Sequence, residues 1–444
     1  MRFLFAAALC IASPSIAQEA ELTPQQHLTF ERVFASPSLD GASPRAAKLS
    51  PDGRWLTLLR NRPDDRERYD LWGYDREGGA WTMLVDSEKL GSGRELSEDE
   101  KMQRERARVG NLKGIISYQW ESDGSAVLVP LDGDLYLARL DGTVTRLTDT
   151  EESELNPTLS DTGKFVSFVR ERQLWVGPVA KDAGGQAAPI TPKEGELIRW
   201  GEAEFVAQEE MGRLTGFWWS PDDRRIAVQR TDESPVGVVT RAAIGATGTK
   251  VFDQRYPAAG TDNAIVELYV TDPDGGNRVK VDLGPDSDIY LARIDWAPDG
   301  SALYVQRQNR AQTVLDMLKV DPATGTSEVL FTENAAREDY WINLSDDYRF
   351  LKDGSLIWWS ERDGFGHLYR FARGRWTRLT GGKWMVTNLV GIDEKAGRVF
   401  LTGTSETNPL EQHVYAFSLG NPRKLDRLTE SGFTHGASMD KAGK

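Results

Sequence analysis

Residues 49–55 read LSPDGRW, and versions of this segment recur along the whole chain. Most of them place Asp-Gly or a similar small turn between two apolar runs. Asp-Gly in this setting is a strong signal for a β-hairpin, and it predicts a type I′ turn with positive φ at both central residues. The further versions are WESDGSA from Trp120, LSDTGKF from Leu159, WSPDDRR from Trp219, WAPDGSA from Trp296, LKDGSLI from Leu351, DEKAGRV from Asp393 and MDKAGK from Met439.

A second recurrent segment, a short strand built around an aromatic residue, follows most of these turns. Copies lie about 40 to 75 residues apart and each holds roughly four strands, which is typical of β-propeller blades. We therefore expect an all-β, eight-bladed β-propeller whose last blade is truncated at Lys444, unless the ring closes by another route; an all-β sandwich is the alternative. The aromatic strands are DLWGYD at Asp70, DLYLARL at Asp134, QLWVGPV at Gln173, ELYVTD at Glu267, HLYRFA at His367 and HVYAFS at His413.

Composition excludes several classes of partner. The 444 residues carry a formal net charge of -14, whereas binding to a nucleic-acid backbone requires a concentrated basic surface. After the N-terminus there is neither a polybasic cluster nor a long apolar span, so no membrane contact is expected. The charged fraction of 27% and the hydrophobic fraction of 39% are ordinary for a chain with a sizeable core.

The N-terminus predicts export. Residues 1–17 combine one basic residue, an apolar run and small residues Ser15 and Ala17 before a cut at Gln18, which is typical of a secretory signal peptide. We expect an exported, periplasmic protein with a signal peptide at 1–17, an N-terminal segment at 18–46 and the propeller at 47–444. The only cysteine, Cys10, lies in the part removed, so the mature chain has no disulfide and no cysteine site.

The first blade region carries a short helical insertion, SEDEKMQRERARV. Ser97 and Glu100 stand at capping-box spacing, which predicts a helix start. At 100° per residue, Arg104 and Arg108 would share one face and Arg106 would point nearly opposite. A helix of such mixed charge is most often a solvated cap.

A second insertion holds a double-glutamate segment. Residues 204–223 read EFVAQEEMGRLTGFWWSPDD, with two adjacent carboxylates, Glu209 and Glu210, just before a Trp218–Trp219 strand that leads into a repeat turn. Neighbouring carboxylates repel, and burying them together would raise one pKa. A site that keeps both ionised usually holds a cation, and a primary ammonium with three donors suits the pair. A solvated acidic turn is the alternative. Phe205, Val206 and Met211 are available to pin the segment to its blade.

No catalytic constellation is recognisable in the sequence. A Gly-x-Ser-x-Gly elbow, an HExxH pair and a phosphate-binding glycine loop are all missing, so no metal and no cofactor are expected. Of the four histidines, His367 and His413 occupy the same place in two repeats, which favours packing over catalysis; the others are His27 and His435. A propeller lyase acting on glycans would need an acid-base set near the axis, which the low histidine content disfavours.

The double-glutamate segment carries a family likeness. FVAQEEM followed by WWSPD, with SERDGFGHLYRF from Ser360 and the blade repeat, resembles the N-terminal propeller of dipeptidyl-peptidase IV-like serine exopeptidases of the bacterial exported type. The resemblance covers about Leu49 to Lys444. It implies an eight-bladed propeller over a C-terminal α/β-hydrolase domain with a Ser-Asp-His triad, and release of X-Pro or X-Ala dipeptides from peptides with a free N-terminus. That hydrolase half is missing here, so we expect this chain to be inactive alone.

The same resemblance implies roles for individual residues. Glu209 and Glu210 would grip the N-terminal ammonium of the peptide, and an arginine of the first insertion would hold its first carbonyl; Arg106 is the choice, with Arg104 and Arg108 as rivals. Trp341 and Asn343, in EDYWINL, are expected to face the pocket, although an ordinary blade strand is an alternative. Relatives tend to form homodimers. The alternative function is a stand-alone secreted propeller that binds a peptide or protein without catalysis.

Overall fold

The repeated turns open successive antiparallel sheets. The computed structural model describes residues 28–35, 39, 41, 43–179, 186–245, 247–337 and 339–439. Within them, seven of the turn segments each join the first two strands of a sheet, and six aromatic segments are third strands. Residues 440–444 of the eighth turn segment, the predicted signal peptide with Cys10, and His27 lie outside the described residues.

The turn type differs from the expectation. In LSPDGRW only Gly53 has positive φ, at 71°, and its N–H donates to the carbonyl of Ser50 at 2.8 Å. Asp52 instead accepts the backbone N–H of Arg54 at 3.0 Å. The type I′ prediction is wrong because the loop is longer than two residues, and a single left-handed residue then reverses the chain. In WSPDDRR that position is taken by Asp223, with φ 58°.

Seven sheets follow one another along the chain, and they are numbered sheet 1 to sheet 7 here. Sheet 1 contains β1 (Arg45–Leu49), β2 (Trp55–Asn61), β3 (Arg68–Asp75), β4 (Ala80–Val85) and, parallel to β3, β5 (Lys113–Gly114). Sheet 2 contains β6 (Gln119–Trp120), β7 (Ala126–Leu131), β8 (Asp134–Arg139) and β9 (Val144–Arg146). Sheet 3 contains β10 (Leu155–Leu159), β11 (Phe165–Arg170), β12 (Gln173–Pro178) and β13 (Ala188–Pro189).

Sheet 4 is the irregular one, because its first strand is divided and a hairpin projects from it. It contains β14 (Ile198–Trp200), β15 (Phe217–Trp219), β16 (Ile226–Asp232), β19 (Ile265–Thr271) and β20 (Val279–Lys280). The hairpin, called the hairpin arm here, pairs β17 (Val238–Gly245) only with β18 (Gly248–Arg255).

Sheets 5 to 7 return to four strands each. Sheet 5 contains β21 (Ile289–Trp296), β22 (Leu303–Asn309), β23 (Val314–Val320) and β24 (Ser327–Asn334). Sheet 6 contains β25 (Arg349–Phe350), β26 (Leu356–Ser360), β27 (His367–Ala372) and β28 (Arg375–Arg378). Sheet 7 contains β29 (Val386–Asp393), β30 (Arg398–Thr404), β31 (Gln412–Ser418) and β32 (Asn421–Arg427). The described helices are α1 (Phe30–Val33), α2 (Ser87–Leu90), α3 (Glu98–Arg106) and α4 (Phe205–Glu209).

Each of sheets 2 to 6 is apolar on both faces and packs against the sheet before it and the sheet after it. In β7, Val127 and Val129 join the core shared with sheet 1, whereas Ala126 and Leu128 join the core shared with sheet 3. This alternation follows from the two-residue period of a strand. Further cores join sheets 3 and 4, 4 and 5, 5 and 6, and 6 and 7. Successive face-to-face packing of this kind is the architecture of a β-propeller.

The predicted number of blades stays a prediction. The cores formed by the described residues join sheets 1 to 7 in sequence, and none of them joins sheet 7 to sheet 1. The repeat predicts eight blades, the last of them truncated.

A threonine closes four of the sheets in the same way; three of these threonines are buried and Thr429 is partly buried. The Oγ1 atom of Thr380, which follows β28, accepts the backbone N–H of Leu368 at 2.9 Å and lies 3.1 Å from Nδ1 of His367. Nε2 of His367 lies 3.1 Å from the carbonyl of Gly382, which can only accept, so Nε2 carries the hydrogen and donates. Nδ1 is therefore the acceptor, and the threonine hydroxyl donates to it. Burial lowers the pKa of His367, in keeping with this neutral ring. The equivalent bonds are Leu135 N to Thr148, Leu174 N to Thr191 and Val414 N to Thr429.

Replacing this hydroxyl tests its contribution to the fold. Thr380→Val leaves the N–H of Leu368 and Nδ1 of His367 without partners, so we expect a loss of about 1–3 kcal/mol of unfolding free energy in urea titrations. Thr380→Ser, which keeps the hydroxyl, is the control and should lie much closer to the wild type. Equal stability of the valine variant and the wild type would contradict this role.

Candidate functional site

The double-glutamate segment is an insertion inside the first strand of sheet 4. The two parts of that strand, β14 and β15, both pair with β16: Trp200 lies opposite Arg230 and Phe217 opposite Val228. Residues 201–216 therefore leave the sheet and rejoin it at the same place, opposite Gln229, the one residue of β16 between these two partners. Gly201 and Gly216 form the neck, since the N–H of Gly216 donates to the carbonyl of Gly201 at 2.9 Å.

The neck needs glycine at both positions. Gly201 has φ 79°, and a Cβ on Gly216 would lie 2.7 Å from the backbone nitrogen of Glu202. The Gln229 backbone closes the neck from β16: its carbonyl accepts from Gly201 and its N–H donates to Gly216. The insertion is thus fixed at its base by backbone hydrogen bonds before any side chain contributes.

A buried ion pair holds the body of the insertion. Glu204 caps α4 by accepting the N–H of Ala207 at 3.2 Å, and its other carboxylate oxygen lies 3.6 Å from Nη2 of Arg213. Arg213 also donates to the carbonyls of Thr215, at 2.8 Å, and Leu291, at 2.6 Å. Burial lowers the pKa of Arg213, and the charge of Glu204 opposes that shift. These bonds connect the insertion to sheet 5, where Leu291 lies in β21.

Apolar contacts complete this attachment. As expected, Met211 is buried and Val206 is partly buried, and both pack with Tyr290 and Ala292 of β21. Phe205 packs elsewhere, with its ring centroid 5.2 Å from that of Tyr256 just after the hairpin arm.

Glu209 and Glu210 close the short helix α4, but their surroundings differ. Glu209 is its last residue and its side chain is 25% exposed. Glu210 is the C-cap residue and is exposed. Among the described residues, Arg106 is the cation paired with Glu209, whereas the carboxylate of Glu210 forms no ion pair. One carboxylate is therefore held by a cation of the protein, and the other is open to solvent.

Helix α3 brings Arg106 to this point from a different part of the chain. Its Nε lies 3.3 Å from Oε1 of Glu209, and its Nη1 donates to Oε1 of Gln208 at 2.5 Å. The guanidinium also stacks over the ring of Phe205, 5.2 Å from its centroid. Burial lowers the pKa of Arg106, and the charge of Glu209 works in the opposite direction. In the described part of the chain, no hydrogen bond engages Nη2.

The rival arginines lie elsewhere. Arg104 is buried in an ion pair with Glu100 at 2.7 Å and donates to the carbonyl of Leu112, so its role is structural. Arg108 is exposed and has φ 58°, because the helix ends at Arg106. The prediction that Arg104 and Arg108 share a face is wrong for this reason. Arg106 does point away from Arg104, as expected.

The helix start follows half of the predicted capping box. Ser97 is the N-cap and accepts the N–H of Glu100 at 3.2 Å. The carboxylate of Glu100 does not return to the backbone of Ser97, because it bonds Arg104 and, at 3.1 Å, the hydroxyl of Ser153. Glu100 thereby ties α3 to sheet 3.

Trp341 and Asn343 line a cavity of about 280 Å³ between sheets 5 and 6. Trp341 is 65% exposed, and Asn343 donates to Glu361 at 2.6 Å. Both residues lie in a loop rather than in a strand, so the blade-strand alternative is wrong for them. Leu344 connects the cavity to the insertion, because it lines the cavity and also packs against the Val206 cluster.

The described histidines are engaged in the fold. His367 and His413 are buried and bond Thr380 and Thr429, and His435 stacks on His413 with ring centroids 5.8 Å apart. Within the described ranges, no group of three or more His, Cys, Asp or Glu side chains is placed to hold a metal ion. None of the helices described here is long and apolar enough to cross a bilayer.

Several residues of this site have no clear signal in the sequence. Gln208 and Glu204 are neighbours of the double-glutamate motif, but nothing in the order of residues shows that one binds Arg106 and the other pairs with Arg213. Gln103 and Asn156 also belong to the site: Gln103 donates to Asn156 at 2.9 Å, and Asn156 donates to the carbonyl of Leu214 at 3.1 Å. Only the tertiary arrangement of α3, sheet 3 and the α4 insertion brings them together.

Comparison with known proteins identifies the family. The family model described as "Dipeptidyl peptidase IV (DPP IV) N-terminal region" matches residues 113–444, which is most of the chain. The chain belongs to this family. The match covers sheets 2 to 7 and the α4 insertion, and the propeller expected from the turn repeat is confirmed.

Individual relatives agree with this assignment. Mouse dipeptidyl peptidase 8 is 24% identical over 443 aligned residues, which cover 78% of this chain and 48% of the relative. A probable dipeptidyl-aminopeptidase B of Aspergillus clavatus is 28% identical over 309 residues, covering 61% of this chain and 33% of that protein. The chain thus spans about half the length, or less, of these relatives.

Solved structures show the same fold. The crystal structure of Porphyromonas gingivalis dipeptidyl peptidase 4 matches with a TM-score of 0.68 and 25% identity, over 87% of this chain and 53% of that one. A putative dipeptidyl aminopeptidase IV from Bacteroides ovatus matches with a TM-score of 0.64 and 22% identity, over 89% of this chain and 56% of that one. The second match supports the fold alone.

Removing Arg213 tests the anchoring of the insertion in this dipeptidyl peptidase IV N-terminal region. Arg213→Ala leaves Glu204 buried without its cation and two carbonyls without donors, so we expect a cost of about 3–5 kcal/mol. Urea unfolding, with hydrogen–deuterium exchange over residues 201–216, measures it. Arg224→Ala is the control, because the Arg224 side chain is 85% exposed. Unchanged exchange in the Arg213 variant would show that the pair does not hold the insertion.

Proposed function

We propose that this chain is the substrate-recognition propeller of a serine exopeptidase that removes N-terminal dipeptides, X-Pro or X-Ala, from peptides. In this proposal Glu209 and Glu210 bind the free α-ammonium group of the peptide, and Arg106 holds its first carbonyl. A C-terminal α/β-hydrolase domain would supply the nucleophile in the complete protein. Export to the periplasm, given by the predicted signal peptide at 1–17, would place the site where extracytoplasmic peptides are available.

One observation carries the proposal: Arg106 and Glu209 form an ion pair between α3 and α4, and Glu210 stands beside it exposed and without an ion-pair partner among the described residues. Two carboxylates and one guanidinium leave a formal charge of minus one. One ammonium neutralises it, and its three donors match the acceptors that the two carboxylates offer.

The geometry of Arg106 supports the second contact. Its Nε and Nη1 are occupied by Glu209 and Gln208, which fixes the plane of the guanidinium, and Phe205 supports one face of it. Nη2 is the donor that these contacts do not use, so it is the atom we assign to the peptide carbonyl. A guanidinium held at two of its nitrogens loses little conformational freedom when the third binds.

The cavity beside α4 gives the rest of the peptide a place. We propose that Trp341 and Asn343 line the path of the peptide, because Leu344 joins their cavity to the insertion. A propeller that binds the N-terminal ammonium group fixes how far along the peptide the cleaved bond lies. An exopeptidase that releases dipeptides requires this fixed distance. Family membership supports this assignment, since the relatives named above are dipeptidyl peptidases and a dipeptidyl-aminopeptidase.

Binding of free and blocked peptides tests the ammonium site. In fluorescence anisotropy, this chain should bind Ala-Pro-Ala-Ala-Lys, labelled on the lysine side chain, at least about tenfold more tightly than its N-acetylated form, because each charge-assisted hydrogen bond contributes about 1.5–3 kcal/mol. Glu209→Gln and Glu210→Gln should each reduce that preference. Glu328→Gln, an exposed glutamate on sheet 5, is the matched control. Equal affinity for the free and the N-acetylated peptide would refute the proposed function.

Turnover assays separate recognition from catalysis. Alone, the chain should not hydrolyse Gly-Pro-p-nitroanilide, because its described histidines are held in structural bonds. Joined to the C-terminal part of a dipeptidyl peptidase, it should support turnover, and Glu209→Ala or Glu210→Ala should cost roughly 2–5 kcal/mol in kcat/KM. If the chain alone hydrolyses the substrate and a serine-directed phosphonate abolishes this turnover, the expectation of no activity is refuted. Binding without turnover in the joined protein would favour a non-catalytic peptide-binding propeller.

A further inference from the structure

Asn156 lies between the two insertions that form the candidate site. It is in β10 of sheet 3, where the pairing with β11 is irregular between Leu155 and Thr158, and its φ is 52°. Left-handed backbone is uncommon for a residue other than glycine, and asparagine tolerates it better than most. The irregularity turns the amide of Asn156 away from the regular ladder and towards α3 and the α4 insertion.

The backbone shape does not itself require asparagine. In sheet 1 the first strand has the same irregularity, between Arg45 and Lys48, and the equivalent left-handed residue is Ala46, with φ 50°. Alanine therefore occupies this conformation elsewhere in the same chain. What Asn156 adds to the position is its amide group.

That amide makes two long-range hydrogen bonds. Its Oδ1 accepts from Nε2 of Gln103 at 2.9 Å, and its Nδ2 donates to the carbonyl of Leu214 at 3.1 Å. Because a backbone carbonyl only accepts, the contact with Leu214 fixes which way the amide points. Gln103 is three residues before Arg106 on α3, so the two share a face. Leu214 is in the return of the α4 insertion, four residues after Glu210.

We propose that Asn156 is a positioning residue that sets the separation between Arg106 and the Glu209–Glu210 pair. This inference rests on the proposed function. One bond holds the helix that carries the guanidinium, and the other holds the segment that carries the carboxylates. Without this bridge, the contacts of Arg106 itself, with Glu209, Gln208 and Phe205, would have to hold the two insertions in register. A second tether, from Ser153 to Glu100, holds α3 to sheet 3 but does not reach the insertion.

The test uses the full chain and the labelled Ala-Pro-Ala-Ala-Lys peptide with its N-acetylated form. Asn156→Ala keeps the backbone shape, as Ala46 shows, and removes both bonds. We expect it to weaken binding of the free peptide about 5- to 20-fold and to change binding of the acetylated peptide little. Asn277→Ala is the matched control: Asn277 is also left-handed, with φ 46°, but lies in an exposed turn of sheet 4.

A double-mutant cycle distinguishes positioning from general destabilisation. If Asn156 acts through Arg106, Asn156→Ala should have little further effect on binding in the Arg106→Met background, whereas a purely structural loss would add to it. Asn156→Asp is the second variant: its carboxylate still accepts from Gln103 but cannot donate to Leu214. Its affinity for the free peptide should lie between those of the wild type and Asn156→Ala, or below both. Hydrogen–deuterium exchange over residues 201–216 should be faster than in the wild type.

The outcomes separate the two proposals. If the wild type binds both peptides equally, the proposed function fails and this inference fails with it. If the wild type prefers the free peptide and Asn156→Ala retains that preference, only the positioning role is overturned. Additive effects in the cycle, or an equal loss in Asn277→Ala, would overturn it as well.

Discussion

The pairing of two strand fragments with one strand is the constraint on which the candidate site depends. Because β14 and β15 both pair with β16 and meet across Gln229, residues 201–216 must leave the sheet and return to it at a single point. Backbone hydrogen bonds at Gly201 and Gly216 fix that point. The helix that carries Glu209 and Glu210 therefore extends from a base that is fixed within the first strand of its sheet.

The side chains of the insertion then divide into a buried and an open group of charges. Glu204 and Arg213 are buried and pair with each other, Glu204 caps α4, and Arg213 donates to two backbone carbonyls; these contacts orient α4. Glu209 and Glu210 follow at the end of the same short helix, where solvent reaches them. A buried ion pair is costly to break. Glu210, in contrast, is exposed, and Glu209 is partly exposed beside Arg106. The same segment thus contains both a buried anchor and carboxylates that solvent reaches.

Contacts between sheets complete the arrangement. Arg106 belongs to sheet 1's helical insertion, Asn156 to sheet 3, the glutamates to sheet 4 and Leu344 to the loop before sheet 6. Neighbouring sheets of a propeller share cores, so loops from the same end of several sheets meet although they are far apart in sequence. This explains how residues about a hundred positions apart form one ion pair.

Local patterns in the sequence determined the repeat, the first turn of every described sheet, the position of α3 and the presence of two adjacent glutamates. Each of these depends on neighbours within a few residues: an Asp-Gly turn, a two-residue alternation, a serine N-cap. Tertiary structure alone decided which arginine reaches Glu209, that Glu204 and Arg213 pair, and that Asn156 bridges both insertions. Those contacts depend on the position of each insertion relative to its sheet. Core packing and the neck at Gly201 set that position, and no local sequence pattern encodes it.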